Sequence, residues 1–275
     1  MHVAEVFEKT SGKLPMIPKV VQELVHSINQ SDIINIDDIA NTLGHDQVLT
    51  ARVLRLANTA RFGGSRRVGS IDDALLVLGF DTLRVLVIAS GITGATASIP
   101  NFNLRAFWQR SFEIANTARD IARISHHNQQ LAYTCGLLSR IGELVLHLAA
   151  PEHTEEIERL AQGLSTRNEI ERNLLGVDSP QIGAELAWRW SFPENIVSAI
   201  GNQYPLDGKE GKPVQATIIG LALLLVIRFN AGEDADEILP DVPDAALEHI
   251  GLSREALAEA LPDLQVVSTT VDELL

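Results

Sequence analysis

The amino-acid sequence predicts an all-α protein, and three of its features predict it. Apolar residues recur at helical spacing almost throughout, as they do behind Pro18 at Val21, Leu24 and Val25. Leu, Ile, Ala and Val dominate a composition that is 45% hydrophobic but only 5% aromatic. No stretch shows the strand pattern of alternating apolar and polar residues between tight turns. A chain of 275 residues with this composition can bury one large core or two smaller ones.

Capping residues divide the first half of the chain into short helices. Asp46 stands before an apolar helical pattern and is interpreted as its N-cap. Ser70, followed by acidic residues, is typical of a capping box, and the helix that it begins should end near Gly79. Asp81 is expected to cap the next helix. Glycine, serine and proline then interrupt the pattern, which predicts a boundary near residue 98.

Longer helices are predicted in the second half. Apolar spacing favours one helix over 104–124 and another over 129–149, which should stop before Pro151. Further helix starts are indicated by capping residues and by prolines, at Thr166, Ser179, Ser191, Pro243, Ser253 and Pro262. The last three of these starts predict short helices near the C-terminus.

The most apolar stretch of the chain covers residues 214–227. A helix needs about 20 apolar residues to span a membrane, so this stretch is predicted to be a buried core helix. The first residues show no basic segment followed by an apolar one, and no signal peptide is expected. We therefore expect a soluble, cytoplasmic protein that does not insert into a membrane.

The acidic balance of the chain limits its partners. The formal net charge is −14, which disfavours binding to nucleic acid and to anionic membranes. The charge is unevenly spread, because residues 231–275 contain twelve acids and one arginine. Residues 46–69 contain five arginines and one acid; we call them the arginine segment.

Cysteine and histidine chemistry is sparse. Cys135 is the only cysteine, which excludes a disulfide framework and a cysteine-rich zinc site, and its apolar neighbours predict a buried, inert thiol. The dipeptide His45-Asp46 matches a metal-binding signature by letter only, since it stands at a predicted helix start.

Three stretches occur together in a fixed order. The first is LPMIP at 14–18, and the second is LRLANTARF at 54–62, continued by SIDDALLVLG at 70–79. The third begins as FWQRS at 107–111 and continues as GLLSRIG at 136–142. Over about residues 12–205 they resemble the HDOD family, a divergent branch of the HD-domain phosphohydrolase superfamily. The resemblance implies an N-terminal helical bundle packed on an HD-like helical bundle.

The same resemblance predicts a degenerate metal site. In HD enzymes, histidines and aspartates from facing helices hold divalent metals that activate water against a phosphoester. Here the corresponding positions, which we call the former metal site, are Arg110, Ser139, Arg140, Ser179, Asn202 and Gln203. Arginine cannot ligate, and a guanidinium about 4 Å from a divalent ion would be repelled by about 8 kcal/mol at an effective dielectric constant of about 20. We expect no metal and no cofactor.

Two interpretations of the former metal site stay open. In the first, its arginines fill the volume and pair with acids such as Glu143 or Glu113. In the second, they form a site for an anion.

The arginine segment is a second candidate for anion or partner binding. Its basic residues are Arg52, Arg55, Arg61, Arg66 and Arg67. Arg52 and Arg55 share a helix face, and the others precede a helix start, which favours anions. The alternative is that these arginines clamp their own loop or pair with acids of the same chain.

Two functions of different classes follow. The resemblance implies a non-catalytic regulatory or scaffold module of bacterial signal transduction, divided into regions 1–98, 99–212 and an acidic 213–275. No signalling domain is expected beyond these regions, so the signal would come through a protein partner or a small anionic ligand. The competing function is a metal-dependent phosphohydrolase with non-standard ligands.

Overall fold

A computed structural model describes most of the chain, and it is all-α. The described residues are 1–12, 14, 19–27, 43, 47–58, 68–79, 83, 87, 102–161 and 164–265. Within these ranges no strand occurs, which confirms the predicted fold class. Asp81 lies outside the described residues, and only Leu83 and Val87 of the helix that it would cap are described, both as helix. Asp46 and the dipeptide that contains it also lie outside the described residues.

The described residues form fifteen α-helices. In chain order they are α1 (Val3–Lys9), α2 (Lys19–Ser27), α3 (Gln47–Ala57), α4 (Ile71–Leu78), α5 (Leu104–Ile124), α6 (Gln129–Leu138), α7 (Ile141–Ala149), α8 (Pro151–Leu160), α9 (Leu164–Leu175), α10 (Ser179–Arg189), α11 (Glu194–Gly201), α12 (Val214–Asn230), α13 (Ala235–Ile238), α14 (Asp244–His249) and α15 (Arg254–Gln265). A 3₁₀ turn at Leu239–Asp241 follows α13. The chain forms two compact units, one of residues 1–14, 99–102 and 109–269 and one of residues 15–98, 103–108 and 270–275.

The smaller unit contains α2, α3 and α4, and local hydrogen bonds define their ends. The hydroxyl of Ser70 accepts from the backbone N–H of Asp73 at 3.0 Å, and α4 ends at Gly79 with φ of 75°, as the sequence predicts. The Asn58 amide bonds both the N–H and the C=O of Val68, at 2.9 and 2.8 Å. These two bonds hold together the residues on either side of 59–67.

The larger unit contains α1 and α6–α15, with most of α5. Helix α12 is buried on nearly every side, as expected for a core helix. Helices α7 and α10 cross so closely that a Cβ atom at Gly142 would lie 1.9 Å from the carbonyl oxygen of Ser179. No helix among the described residues is long and apolar enough to cross a membrane.

The described part of the acidic C-terminal region, residues 231–265, is folded into short helices and turns. The Ser253 hydroxyl caps α15, and Leu257, Leu261 and Leu264 bury its apolar face. A helix start at Pro262 was predicted and is wrong, because Pro262 lies inside α15. The continuous apolar face carries the helix through the proline.

Two other predicted helix boundaries are wrong. The helix predicted over 129–149 is two helices, α6 and α7, separated at Ser139 and Arg140. The capping box predicted at Thr166 is not a helix start, because α9 begins at Leu164. The helix predicted over 104–124 is confirmed at both ends by α5.

Candidate functional site

The break between α6 and α7 coincides with the dipeptide that replaces His-Asp. The Ser139 hydroxyl donates to the carbonyl of Gly136 at 2.7 Å. The N–H of Glu143 bonds the carbonyl of Arg140 at 3.0 Å, so the Ser139 carbonyl has no partner within the helix. The side-chain N–H of Gln203 donates to that carbonyl at 3.0 Å. Two positions of the former metal site, Ser139 and Gln203, are therefore in direct contact.

Arg140 forms a two-point ion pair with Glu143, one turn further along the chain. Its Nε and one terminal nitrogen donate to the two carboxylate oxygens at 2.8 and 2.7 Å. The Glu143 side chain is 3% exposed and that of Arg140 is 15% exposed. This geometry is the strongest that a guanidinium and a carboxylate can form.

A second arginine, Arg167 on α9, extends the pair into a network. Its guanidinium donates to Glu171 at 2.8 Å and to Glu158 at 2.8 Å, and it lies 3.9 Å from Glu143. Arg167 and Glu171 are almost fully buried, whereas the Glu158 side chain is 56% exposed. We call Arg140, Glu143, Glu158, Arg167 and Glu171 the ion network.

Glu171 links the network to a third position of the former metal site. Its second oxygen accepts the backbone N–H of Ser179 at 2.7 Å, at the start of α10. Ser179 thus takes part through its backbone, at a helix N-terminus that favours a carboxylate. The network spans α7, α8, α9 and α10, since each contributes at least one hydrogen-bonding group.

The charges inside the network shift the pKa values of its members in opposite directions. Burial raises the pKa of Glu143, but the charges of Arg140 and Arg167 outweigh that effect and hold its pKa below the usual range. Burial raises the pKa of Glu171, and Arg167 only partly offsets it. Despite burial, the surrounding carboxylates raise the pKa of Arg167, so its charge is permanent. Glu143 is therefore the carboxylate most firmly held in its charged form.

Arg110 lies near the network but has weaker partners. Its Nε is 3.6 Å from Glu113, and a terminal nitrogen is 3.4 Å from the carbonyl of Val226. Burial lowers its pKa, the charge of Glu113 opposes that, and the nearby positive charge of Arg140 lowers it further. Arg110 and Arg140 thus pair with Glu113 and Glu143, the two acids that the sequence proposed as partners.

The adjacent residues Asn202 and Gln203 have different environments. Asn202 is exposed, and its amide donates to the carbonyl of Ser198 at 2.8 Å, one turn back on α11. Gln203 is buried, and its side-chain oxygen has no hydrogen-bond partner among the described residues. The structure therefore brings Gln203, and not Asn202, to the former metal site.

The residues of the former metal site do not fit a divalent metal. Its side chains offer guanidinium, hydroxyl and amide groups, and hydrolytic metals prefer imidazole and carboxylate. The buried carboxylates, Glu143 and Glu171, are engaged with arginines. Within the described part of the chain, no three His, Cys, Asp or Glu side chains converge as a metal site would require.

The arginine segment is described in part only. Arg55 is exposed on α3. The side chain of Arg52, and Arg61, Arg66 and Arg67, lie outside the described residues. Their role as an anion or partner site stays a prediction.

Sequence reasoning missed three members of the ion network, Glu158, Arg167 and Glu171. Arg167 and Glu171 are four residues apart, which is ordinary for an exposed helical pair. Their burial depends on α8 and α10 packing over α9, and the spacing of residues in the sequence does not indicate that packing. Cys135, by contrast, is buried as predicted, and burial raises the pKa of its thiol to about 12.

Three comparisons with known proteins show what this chain is similar to. The HDOD domain model matches residues 14–206. An uncharacterized protein of Treponema pallidum (strain Nichols) is 27% identical over 232 residues, which is 82% of this chain. The match covers 44% of that relative, so the chain spans less than half of its length.

Two crystal structures resemble the whole chain. A candidate phosphohydrolase of Shewanella amazonensis SB2B is 32% identical with a TM-score of 0.74, over 100% of this chain and 99% of the other. An HDOD domain protein of unknown function from Geobacter sulfurreducens is 25% identical with a TM-score of 0.74, over 99% and 98% of the two chains.

Proposed function

This chain belongs to the HDOD family, and we propose that it acts as a non-catalytic regulatory module of bacterial signal transduction. In this proposal it works through a protein partner or a small anionic ligand. The observation that carries it is the two-point pair of Arg140 with buried Glu143, where an HD enzyme would hold its metal.

The chemistry of the pair supports a permanent loss of hydrolysis. Arg167 lies 3.9 Å from Glu143 on the side of α9, so two guanidinium charges share one buried carboxylate. A divalent ion would have to displace both arginines or stay close to them, against repulsion of several kcal/mol at this dielectric range. Without the ion, no group here lowers the pKa of a water molecule to activate it.

The network also supplies what a regulatory module needs, a fixed arrangement of helices. Charge-assisted hydrogen bonds within it connect α7, α8, α9 and α10, and Gln203 ties the end of α11 to the break before α7. We infer that these bonds hold surfaces at a constant geometry for a partner.

The phosphohydrolase alternative has one observation in its favour. The Shewanella amazonensis structure, which is 32% identical over the whole chain, carries the name of a candidate phosphohydrolase. Activity here would require Glu143 and Glu171 to leave their arginines and bind metal. The same experiment therefore separates the two functions.

The test combines metal analysis with an assay on one preparation of the full chain. Purified protein is incubated with Mn²⁺, dialysed, and analysed by mass spectrometry for bound metal. Hydrolysis of a chromogenic phosphodiester is then measured with and without chelator, beside a Glu143→Gln variant. We expect less than stoichiometric metal and no turnover above the buffer. Stoichiometric metal, with turnover lost both on chelation and in Glu143→Gln, would overturn the proposal.

A further inference from the structure

One large aromatic side chain, that of Trp188 near the end of α10, is unusually exposed. It is 62% exposed, while Trp108 and Trp190 are buried. None of the hydrogen bonds, ion pairs or ring contacts of the described residues involves its indole. Tryptophan is enriched at protein–protein interfaces, so an isolated exposed indole indicates a binding surface.

The indole borders an open depression at the turn between α10 and α11. The lining residues are Trp188, Arg189, Ser191, Phe192 and Glu194. We call this the Trp188 depression.

The turn fixes the two sides of the depression relative to each other. The N–H of Ser191 bonds the carbonyl of Trp188 at 2.8 Å, and Ser191 has the left-handed φ of 57°. Phe192 is buried and meets Trp190 edge to face at 5.8 Å between ring centroids. The backbone at Trp188 and the start of α11 are thereby fixed relative to each other before any partner arrives.

Of the two charged residues that line the depression, one has partners within the chain and the other forms no ion pair among the residues that the structure describes. Arg189 is occupied, because its Nε donates to Glu185 at 2.8 Å and its guanidinium covers the ring of Phe7 at 4.2 Å. Glu194 is exposed and forms no ion pair in the described part of the chain. The depression therefore presents an aromatic side chain beside a carboxylate that forms no ion pair with the described residues.

We propose that the Trp188 depression binds an arginine or lysine side chain from a basic segment of a partner protein. A cation over an indole gains a cation–π interaction, and the Glu194 carboxylate supplies the opposite charge. The net charge of −14 draws a basic partner toward the molecule and repels an acidic one. The inference rests on the proposed function, since it names the chemistry of the partner that a regulatory module needs.

The probe is a short peptide with three arginines, titrated calorimetrically into the full chain at low salt. A peptide with citrulline in place of arginine is the matched control, because citrulline keeps the shape and loses the charge. We expect the arginine peptide to bind and the citrulline peptide to bind at least several-fold more weakly. Equal affinity for both peptides would overturn the proposal.

Variants of the full chain then locate the binding. We expect Trp188→Ala to weaken the arginine peptide by about two- to fivefold, as an exposed cation–π contact predicts, and Trp188→Phe to weaken it less. Glu194→Gln should weaken it similarly. Glu259→Gln, which removes the same charge from an exposed position on α15, should leave the affinity unchanged. Equal losses in Glu194→Gln and Glu259→Gln would overturn the proposal, since attraction would then be general.

Sedimentation of the chain without peptide separates a partner from a second copy. A single species, unchanged by Trp188→Ala, supports the partner. A dimer that dissociates in Trp188→Ala would assign the surface to self-association and overturn the proposal. These readouts need no assumption about hydrolysis, so failure of the metal test and failure of this one are distinguishable.

Discussion

The ion network and the ion pairs near the C-terminus both join arginines to carboxylates. The ion network is largely buried, whereas the C-terminal pairs are exposed to water. Glu143, Arg167 and Glu171 are nearly or fully buried, whereas Asp241, which pairs with Arg228 at 2.9 Å, is 56% exposed. Water can replace the arginine as the partner of an exposed carboxylate, so the exposed pair adds little to the free energy of unfolding. A buried carboxylate that loses its arginine has no water to replace it.

The comparison distinguishes two free energies: the net stability that an ion pair contributes, and the stability that is lost when one partner is removed. A buried ion pair need not stabilise a fold more than apolar residues of the same volume would. Its members nevertheless depend on one another, because each would be an unpaired buried charge alone. We propose that arginine supplies, in this site, the positive charge that a metal supplies in HD enzymes, and the following changes test that account.

The largest effect is expected from Arg167→Met. The change leaves Glu171 and Glu143 buried beside an apolar side chain, and we expect the free energy of unfolding to fall by about 3–5 kcal/mol. Denaturant unfolding followed by circular dichroism measures it. Arg123→Met on α5 removes an exposed arginine that pairs with the partly exposed Asp120, and should cost less than about 1 kcal/mol. Equal costs would contradict the comparison.

Glu143→Gln is expected to cost roughly 2–3 kcal/mol at neutral pH, since it removes the carboxylate charge and one of the two oxygens that accept from Arg140, while the partly exposed Arg140 can reach water. The arginines hold the pKa of Glu143 low in the folded chain, so its stabilising contribution is present above its usual pKa. The contribution is lost as the pH falls through the pKa of the folded state.

The measurement for Glu143 is the difference in unfolding free energy between the wild type and Glu143→Gln, followed from pH 7 toward acid. We expect that difference to shrink in acid. Glu171→Gln is the internal comparison, because burial raises the pKa of Glu171 and its charge at neutral pH is costly. A wild-type advantage over Glu143→Gln that stays constant with pH would show that the charge is not what matters.

Gly142→Ala tests the close crossing that brings α7 and α10 together beside the network. A Cβ atom 1.9 Å from the Ser179 carbonyl oxygen forces the helices apart, and we expect a loss of about 1–3 kcal/mol. Gly69→Ala is the control, because a Cβ atom there meets nothing within 4 Å. Similar denaturation midpoints for both variants would argue that the crossing tolerates a methyl group.

The smallest effect is expected from Asp241→Asn, on the exposed side of the comparison. We expect a change in the free energy of unfolding below about 1 kcal/mol, and a smaller one at high salt. Denaturant unfolding at low and high salt measures both. A loss as large as that of Glu143→Gln would mean that burial does not separate the two regions.

Sequence patterns predicted both ends of two helices, α4 and α5. Ser70 and Gly79 mark both ends of α4, and α5 has the limits that its periodicity predicts. The break at Ser139 and Arg140 was missed because apolar residues continue at helical spacing on both sides of it. At the break the carbonyl of Ser139 is bound by Gln203, 64 residues away, a contact that no local pattern shows.

The candidate site was predictable in position and only partly in composition. Motif order located Arg110, Ser139 and Arg140, and physical chemistry predicted acidic partners for the arginines. Arg167 and Glu171 could not be found that way, since a charged pair four residues apart has the same sequence pattern on a surface and in a core. Only the packing of neighbouring helices distinguishes the two.

The most direct test of the account is a calorimetric titration of Mn²⁺ into the chelator-stripped chain, beside Glu143→Gln. Because Arg140 and Arg167 hold the buried carboxylates, we predict no saturable heat at one or two equivalents in either protein. Saturable binding to the wild type that Glu143→Gln abolishes would contradict the account, because it would show a metal where arginine is proposed to replace one.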